Sequence, residues 1–192
     1  MTLLDGTELE GKFKNGNLIE GIRIYPEGKY EGGEYENGKL IGGLTVLSDG
    51  VSLNGDYQNG QLIKGQRISN DETLIEIGDF QNDYLIKGKM IYNDDEIIFE
   101  GEFKKGILVN GKKKYNDFIQ EGIFKDGYLS IGKVSIDGHI LFGKFYKDNL
   151  IDGKIFYPDG SFRDCNIWLV NFFQYFLNVI VMVKKLASYF HL

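Results

Sequence analysis

From Glu10 to Lys14 the chain reads Glu-Gly-Lys-Phe-Lys, stepping between polar and small or apolar positions, until Asn15-Gly16 interrupts it. Alternation of period two over a few residues predicts a half-buried strand, and Asn-Gly tolerates the positive φ of a tight hairpin turn. The chain returns as Gly21-Ile22-Arg23-Ile24-Tyr25, alternating again, and Pro26-Glu27-Gly28 closes the segment. Proline presets φ early in such a turn and glycine accepts φ > 0 at its end. One antiparallel hairpin is predicted.

The same pattern recurs to residue 160 as four columns that advance together by 22, 22, 23, 23, 21 and 21 residues. Glycine occupies the first (Gly11, Gly33, Gly55, Gly78, Gly101, Gly122, Gly143), and an aromatic follows two residues later (Phe13, Tyr35, Tyr57, Phe80, Phe103, Phe124, Phe145). Leucine forms the third (Leu18, Leu40, Leu62, Leu85, Leu108, Leu129, Leu150), and glycine the fourth (Gly21, Gly43, Gly65, Gly88, Gly111, Gly132, Gly153). Seven copies without exception define an array of about fourteen strands, which at ~4.8 Å per strand is elongated, roughly 65 Å long. The aromatic and leucine columns are expected on the packed surface, with the glycines at turns or close backbone approaches. Asp83 and Asp148 replace the first-turn glycine in two copies, a substitution the turn accepts because Asp also visits the left-handed region.

Tyr30-Glu31-Gly32, Glu34-Tyr35-Glu36-Asn37-Gly38, Phe99-Glu100-Gly101-Glu102-Phe103 and Tyr157-Pro158-Asp159-Gly160 resemble the MORN repeat, the membrane occupation and recognition nexus motif. The likeness covers residues 9 to 160. At the second turn the family's glycine pair is mostly reduced to one glycine, as in Leu18-Ile19-Glu20-Gly21, which marks a divergent subgroup. The resemblance implies an all-β, single-layer antiparallel hairpin sheet, rod-like or half-pipe in shape, used for assembly, partner docking or membrane apposition.

Composition narrows the function classes. Glycine contributes 26 of 192 residues without a collagen period, and all of it lies between Gly6 and Gly160. Two segments are therefore expected, a hairpin array over 1–160 and a glycine-free tail over 161–192. One cysteine, Cys165, and two distant histidines, His139 and His191, leave no disulfide and no cysteine zinc site. The net charge is −6, which disfavours nucleic acid as a partner. The first eleven residues lack the cationic and apolar regions of a signal peptide, so a cytoplasmic location is expected.

No catalytic constellation emerges, and no enzyme, cofactor or metal is expected. Ser135 and His139 form a serine–histidine pair close in sequence within the repeats, and His139 reads as a turn residue. Asp94-Asp95-Glu96 could face a hard cation, yet it falls at a between-repeat turn without calcium-loop spacing. The remaining signals concern contact. Glu34, Asp56, Asp79 and Glu102 follow the first glycine in four consecutive copies, whereas Lys89, Lys112, Lys133 and Lys154 follow the second in the last four. These rows either pair across strands on a solvated face or form a lysine ladder, extended by Lys87, Lys113 and Lys114, that meets anionic headgroups.

The tail carries a different pattern. Fourteen of the seventeen residues from Ile167 to Val183 are apolar, and Asn171, Gln174 and Asn178 fall on one stripe of a predicted helix. Trp168, Phe172 and Phe176 could cover an apolar sheet face, or the segment could anchor in a bilayer with Trp168 at one interface and Lys184-Lys185 at the other. Two functions stay open: a scaffold or interaction module for a protein partner, and a membrane-associated tether contacting anionic phospholipid. Uncovered terminal strands would favour homo-oligomers.

Overall fold

A computed structural model describes residues 1–92 and 97–166. The first strands are β1 (Glu8–Lys14), β2 (Asn17–Ile24), β3 (Tyr30–Glu36), β4 (Lys39–Val46), β5 (Ser52–Gln58), β6 (Gln61–Ile68), β7 (Leu74–Gln81) and β8 (Tyr84–Tyr92). They are followed by β9 (Ile97–Lys104), β10 (Ile107–Tyr115), β11 (Phe118–Lys125), β12 (Tyr128–Ile136), β13 (His139–Tyr146), β14 (Asn149–Phe156) and β15 (Phe162–Asn166). The described residues are all-β, one open antiparallel 15-stranded sheet whose spatial order is the order of the chain. Two compact units divide it, one built on β1–β8 and one on β9–β15, with the 104–106 turn grouped with the first.

The hairpins form where the Asn-Gly pairs predict. Asn15 and Gly16 both carry positive φ, +50° and +79°, the backbone of a two-residue turn that matches strand twist. Asp83 and Asp148 take the same region at +63° and +65° in place of glycine. The repeat spacing is set by the connections between hairpins. Between the equivalent pairs Ile24–Tyr30, Val46–Ser52, Ile68–Ile75, Lys114–Ile119 and Ser135–Ile140, five, five, six, four and four residues intervene, which reproduces the 22-, 23- and 21-residue steps.

A bulge makes the two hydrophobic columns meet. In β5–β6, Asp56 faces Lys64 while Tyr57 faces Leu62, so Ile63 is the extra residue. The same shift separates Lys12 from Phe13, Glu34 from Tyr35, Asp79 from Phe80, Ile123 from Phe124 and Lys144 from Phe145. Without it, a leucine three residues before glycine and an aromatic two residues after would point to opposite faces. With it they share one, and all seven leucines and six of the seven aromatics are buried. Phe13, on the first strand, remains 41% exposed because no earlier repeat covers it.

The strands also bend at the glycine line. Gly11 pairs with Gly21, Gly21 with Gly33, and Gly55 with Gly65, one glycine per strand in register. At Gly55, φ is +151° and a Cβ would stand 2.1 Å from the Lys64 carbonyl oxygen, so only glycine fits. The Tyr57 hydroxyl donates to the Leu53 carbonyl at 2.8 Å. Those residues would be about 13 Å apart on a straight strand, so β5 folds across Gly55 and the two halves of its packed face approach each other.

This closure buries polar groups as well. Arg23 lies across the line from Tyr35, yet its guanidinium carbon is 5.0 Å from that ring. Glu31, beside it, accepts from Lys29 at 2.8 Å and from the Tyr25 hydroxyl at 3.0 Å. Glu76 pairs with Arg67, whose Nη1 also donates to the Asp83 carbonyl at 2.6 Å. In the second unit Lys113 is buried against Phe99 and Phe124, each 4.9 Å from its Nζ, and donates to the Gly127 carbonyl at 2.6 Å. Lys113 therefore belongs to the packed face rather than to the exposed lysine ladder.

The ends differ from the sequence expectation. Residues 1–3 fold back along the outer edge of β1, where the Leu9 amide donates to the Met1 carbonyl at 2.7 Å and Leu3 to Thr7 at 2.8 Å. That terminal edge is partly occupied. At the other end, β15 pairs with β14, so the sheet extends six residues beyond Gly160 into the segment assigned to the tail. The predicted helix, with Trp168, Phe172, Phe176, Lys184 and Lys185, lies outside the described residues.

Candidate interaction face

Closure of one face leaves the other open. Residues one position from each glycine point outward, and their charges pair across strands: Lys12 with Glu20 at 2.7 Å, Lys133 with Glu121 at 3.2 Å, Lys144 with Asp152 at 3.1 Å, and Lys154 with Asp164 at 2.9 Å. Such exposed pairs contribute about 0–1 kcal/mol each. The lysines singled out by spacing share this row. Lys89, Lys112 and Lys154 are exposed and Lys133 half-buried. The register interleaves them with other residues: Ile77 faces Lys89, Glu121 faces Lys112 and Lys133, and Phe142 faces Lys133 and Lys154. In the acidic column Asp56 stands opposite Lys64 and Asp79 opposite Lys87, whereas Glu34 stands between Glu20 and Gly42.

Apolar residues also stand on this face. The bulged Ile19, Ile41, Ile63 and Ile86 recur once in each of the first four hairpins, each 38–40% exposed; Val109, Ser130 and Ile151 take the position in the other three. The signal was present in the sequence, since an isoleucine directly follows each of the first four leucines of the column, but alternation alone assigns a residue beside a buried leucine no role. Ile24, Ile140, Phe156 and Phe162 line the margin nearer the connections between hairpins.

The residues weighed for chemistry are dispersed. Ser135 faces the exposed Ile140, whereas His139 faces the buried Ile136, so the register places the two on opposite sides of the sheet. His139 instead stacks edge-on against Tyr157 at 5.7 Å and its Nδ1 lies 3.1 Å from the Asp137 carbonyl. Asp94, Asp95 and Glu96 lie outside the described residues. Burial pushes the Cys165 thiol above its ordinary range, and its Sγ contacts the Leu150 carbonyl at 3.9 Å. Among the described residues no group of three or more His, Cys, Asp or Glu side chains could hold a metal ion, and no helix is long and apolar enough to cross a membrane.

Fold and faces together define an antiparallel β-hairpin repeat protein. Neither the family models nor the curated proteins compared with the chain gave a match.

Proposed function

We propose that the chain is a MORN-like, non-catalytic scaffold that binds a protein partner along the open face of its hairpin array. The observation that carries this reading is the division of labour between faces. One is consumed by the chain's own aromatic, leucine and ion-pair packing, while the other presents an exposed isoleucine in each of the first four hairpins beside paired charges. Strands two apart place those isoleucines about 9.6 Å from one another, a periodic apolar track suited to an extended partner. Arrays of this kind use their repeated surface for binding.

The test is co-purification of partners by the native chain and by Ile41→Asp with Ile63→Asp, on a background of unchanged circular dichroism. Partners retained by the native chain and lost by the variant support the reading, and identical partner sets refute it.

A second reading, a tether on anionic membranes in the cytoplasm, draws on Lys89, Lys112, Lys133 and Lys154 sharing one outward row and on the apolar tail. Flotation with phosphatidylserine vesicles, comparing the full chain with one ending at Gly160, tests it. Equal flotation of both would remove the tail from the account, and no flotation of either would remove the membrane.

A further inference from the structure

The open face is not uniform. At the position where other hairpins set Lys12 against Glu20, Asp56 against Lys64, Asp79 against Lys87 and Lys144 against Asp152, β11 and β12 set Ile123 against Ile131. Both are half exposed, 52% and 50%. One row across, Phe142 stands 57% exposed between Lys133 and Lys154. The next row carries Ile140 opposite Phe156 and Phe156 opposite Phe162, the two rings 6.0 Å apart. The Lys154 ammonium lies 4.3 Å from the Phe162 ring at the edge of this group, and exposed apolar side chains gathered in neighbouring rows and rimmed by charge mark contact surfaces.

The strand at the patch margin also ends the repeat grammar. Cys165 stands opposite Gly153 and 22 residues after Gly143, in the glycine line. A Cβ at Gly143 would meet the return strand of its own hairpin, 2.1 Å from the Asp152 carbonyl oxygen. A side chain at this position is therefore incompatible with a return strand in the same register. The chain leaves the described residues after Asn166, which faces Asp152 in the row that holds Ile131 and Ile123. Residues 167–192 follow, beginning with the seventeen-residue apolar stretch.

We propose that residues 167–192 dock in cis across the open face of β11–β15, over Ile123, Ile131, Ile140, Phe142, Phe156 and Phe162. The lengths agree. Four inter-strand steps cover ~19 Å, and seventeen residues span ~25 Å as a helix. Asn171, Gln174 and Asn178 would form the stripe turned to water, while the aromatic and aliphatic residues meet the patch. This docking is independent of the scaffold reading, because it concerns a surface distinct from the isoleucine track of β2, β4, β6 and β8.

Trp168 is the single tryptophan of the chain, so its emission reports on this segment alone. In buffer free of lipid and detergent, the full chain is expected to be monomeric by light scattering, with blue-shifted Trp168 emission that persists on dilution. Ile131→Asp with Phe142→Asp should red-shift that emission and increase acrylamide quenching, with far-ultraviolet circular dichroism unchanged. Should the aspartates unfold the sheet, Ile131→Thr with Phe142→Thr keeps strand-favouring side chains and should give the same shift. Ile22→Asp, on the open face of β2, should leave the emission unaltered. Emission indifferent to the patch variants overturns the proposal. Shielding that vanishes on dilution together with a dimer assigns the patch to a second copy, and shielding that appears only with phosphatidylserine vesicles assigns the segment to a membrane; either result also overturns it.

Discussion

Alanine at Gly55 and alanine at Gly60 are the same chemical change in one hairpin, and the structure gives them different costs. A Cβ at Gly55 would lie 2.1 Å from the Lys64 oxygen and 2.7 Å from the Gly65 Cα, all backbone that no rotamer can clear. Holding a side chain at φ +151° costs ~1–3 kcal/mol. Parting β5 and β6 to relieve the contact weakens the flanking ladder hydrogen bonds, at about 1 kcal/mol each. The combined loss is about 3–5 kcal/mol. Gly60 has φ +81° with nothing within 4 Å of the added carbon, so only the left-handed penalty of ~1–2 kcal/mol applies. Urea unfolding followed by far-ultraviolet circular dichroism would compare the midpoints of the two variants with the native chain. Because each hairpin contacts only its neighbours, the Gly55 lesion should appear as early loss of the first unit. If Gly55→Ala costs no more than Gly60→Ala, the close-approach account of the glycine line is wrong.

Three further outcomes are expected. Phe103→Ala, at a side chain 5% exposed, should destabilise the second unit by about 3–5 kcal/mol in denaturant titration, and a loss below ~1 kcal/mol would remove Phe103 from the core. Tyr57→Phe should cost ~1 kcal/mol through the hydrogen bond to Leu53, whereas Tyr35→Phe should be neutral or stabilising in the same melting assay, since the buried Tyr35 hydroxyl has no partner. Burial, with the Glu31 carboxylate adding to it, pushes Tyr35 up to about 12. Because the folded value exceeds the unfolded one near 10, stability should hold below that pH, fall between pH 10 and 12, and fall less in Tyr35→Phe. Arg67→Met should cost ~3–5 kcal/mol by leaving Glu76 buried without its cation, and Arg67→Met with Glu76→Met should recover most of that loss. A double variant as unstable as the single one would count against this account.

The hairpins, their turns and the hydrophobic columns were legible because each rests on local chemistry: Asn-Gly for positive φ, period two for strand faces, leucine and aromatic at fixed offsets. The closure across the glycine line was not, because alternation assigns a residue to a face without showing whether that face is covered. Lys113 illustrates this. Its neighbours Lys112 and Lys114 made it look like part of a solvated run, yet two residues past Gly111 it falls on the packed side. Glu31, Glu76 and Gln120 are buried for the same reason. The fifteenth strand could have been found, since one more step of 22 from Gly143 reaches Cys165 with Phe162 three residues before it. Its signal was hidden by a cysteine standing where the column had always held glycine. The Ile123, Ile131 and Phe142 patch required the register, because those residues come from three strands and only cross-strand neighbours reveal that they interrupt rows of charge.

Strand order that follows chain order has a genetic consequence. Excising residues 33–54 would join the strand before Gly33 to Gly55 and present the same register, glycine line and leucine face to the next hairpin, one copy shorter. Loss of a single residue within a strand would reverse every side chain beyond it. In a gene encoding such a protein, whole-repeat duplication or deletion changes the number of hairpins without disturbing those that remain, whereas small in-frame losses are tolerated only in the connections, where four to six residues already serve. The length of the array is thus free to drift in steps of one hairpin, and the length of its open face drifts with it.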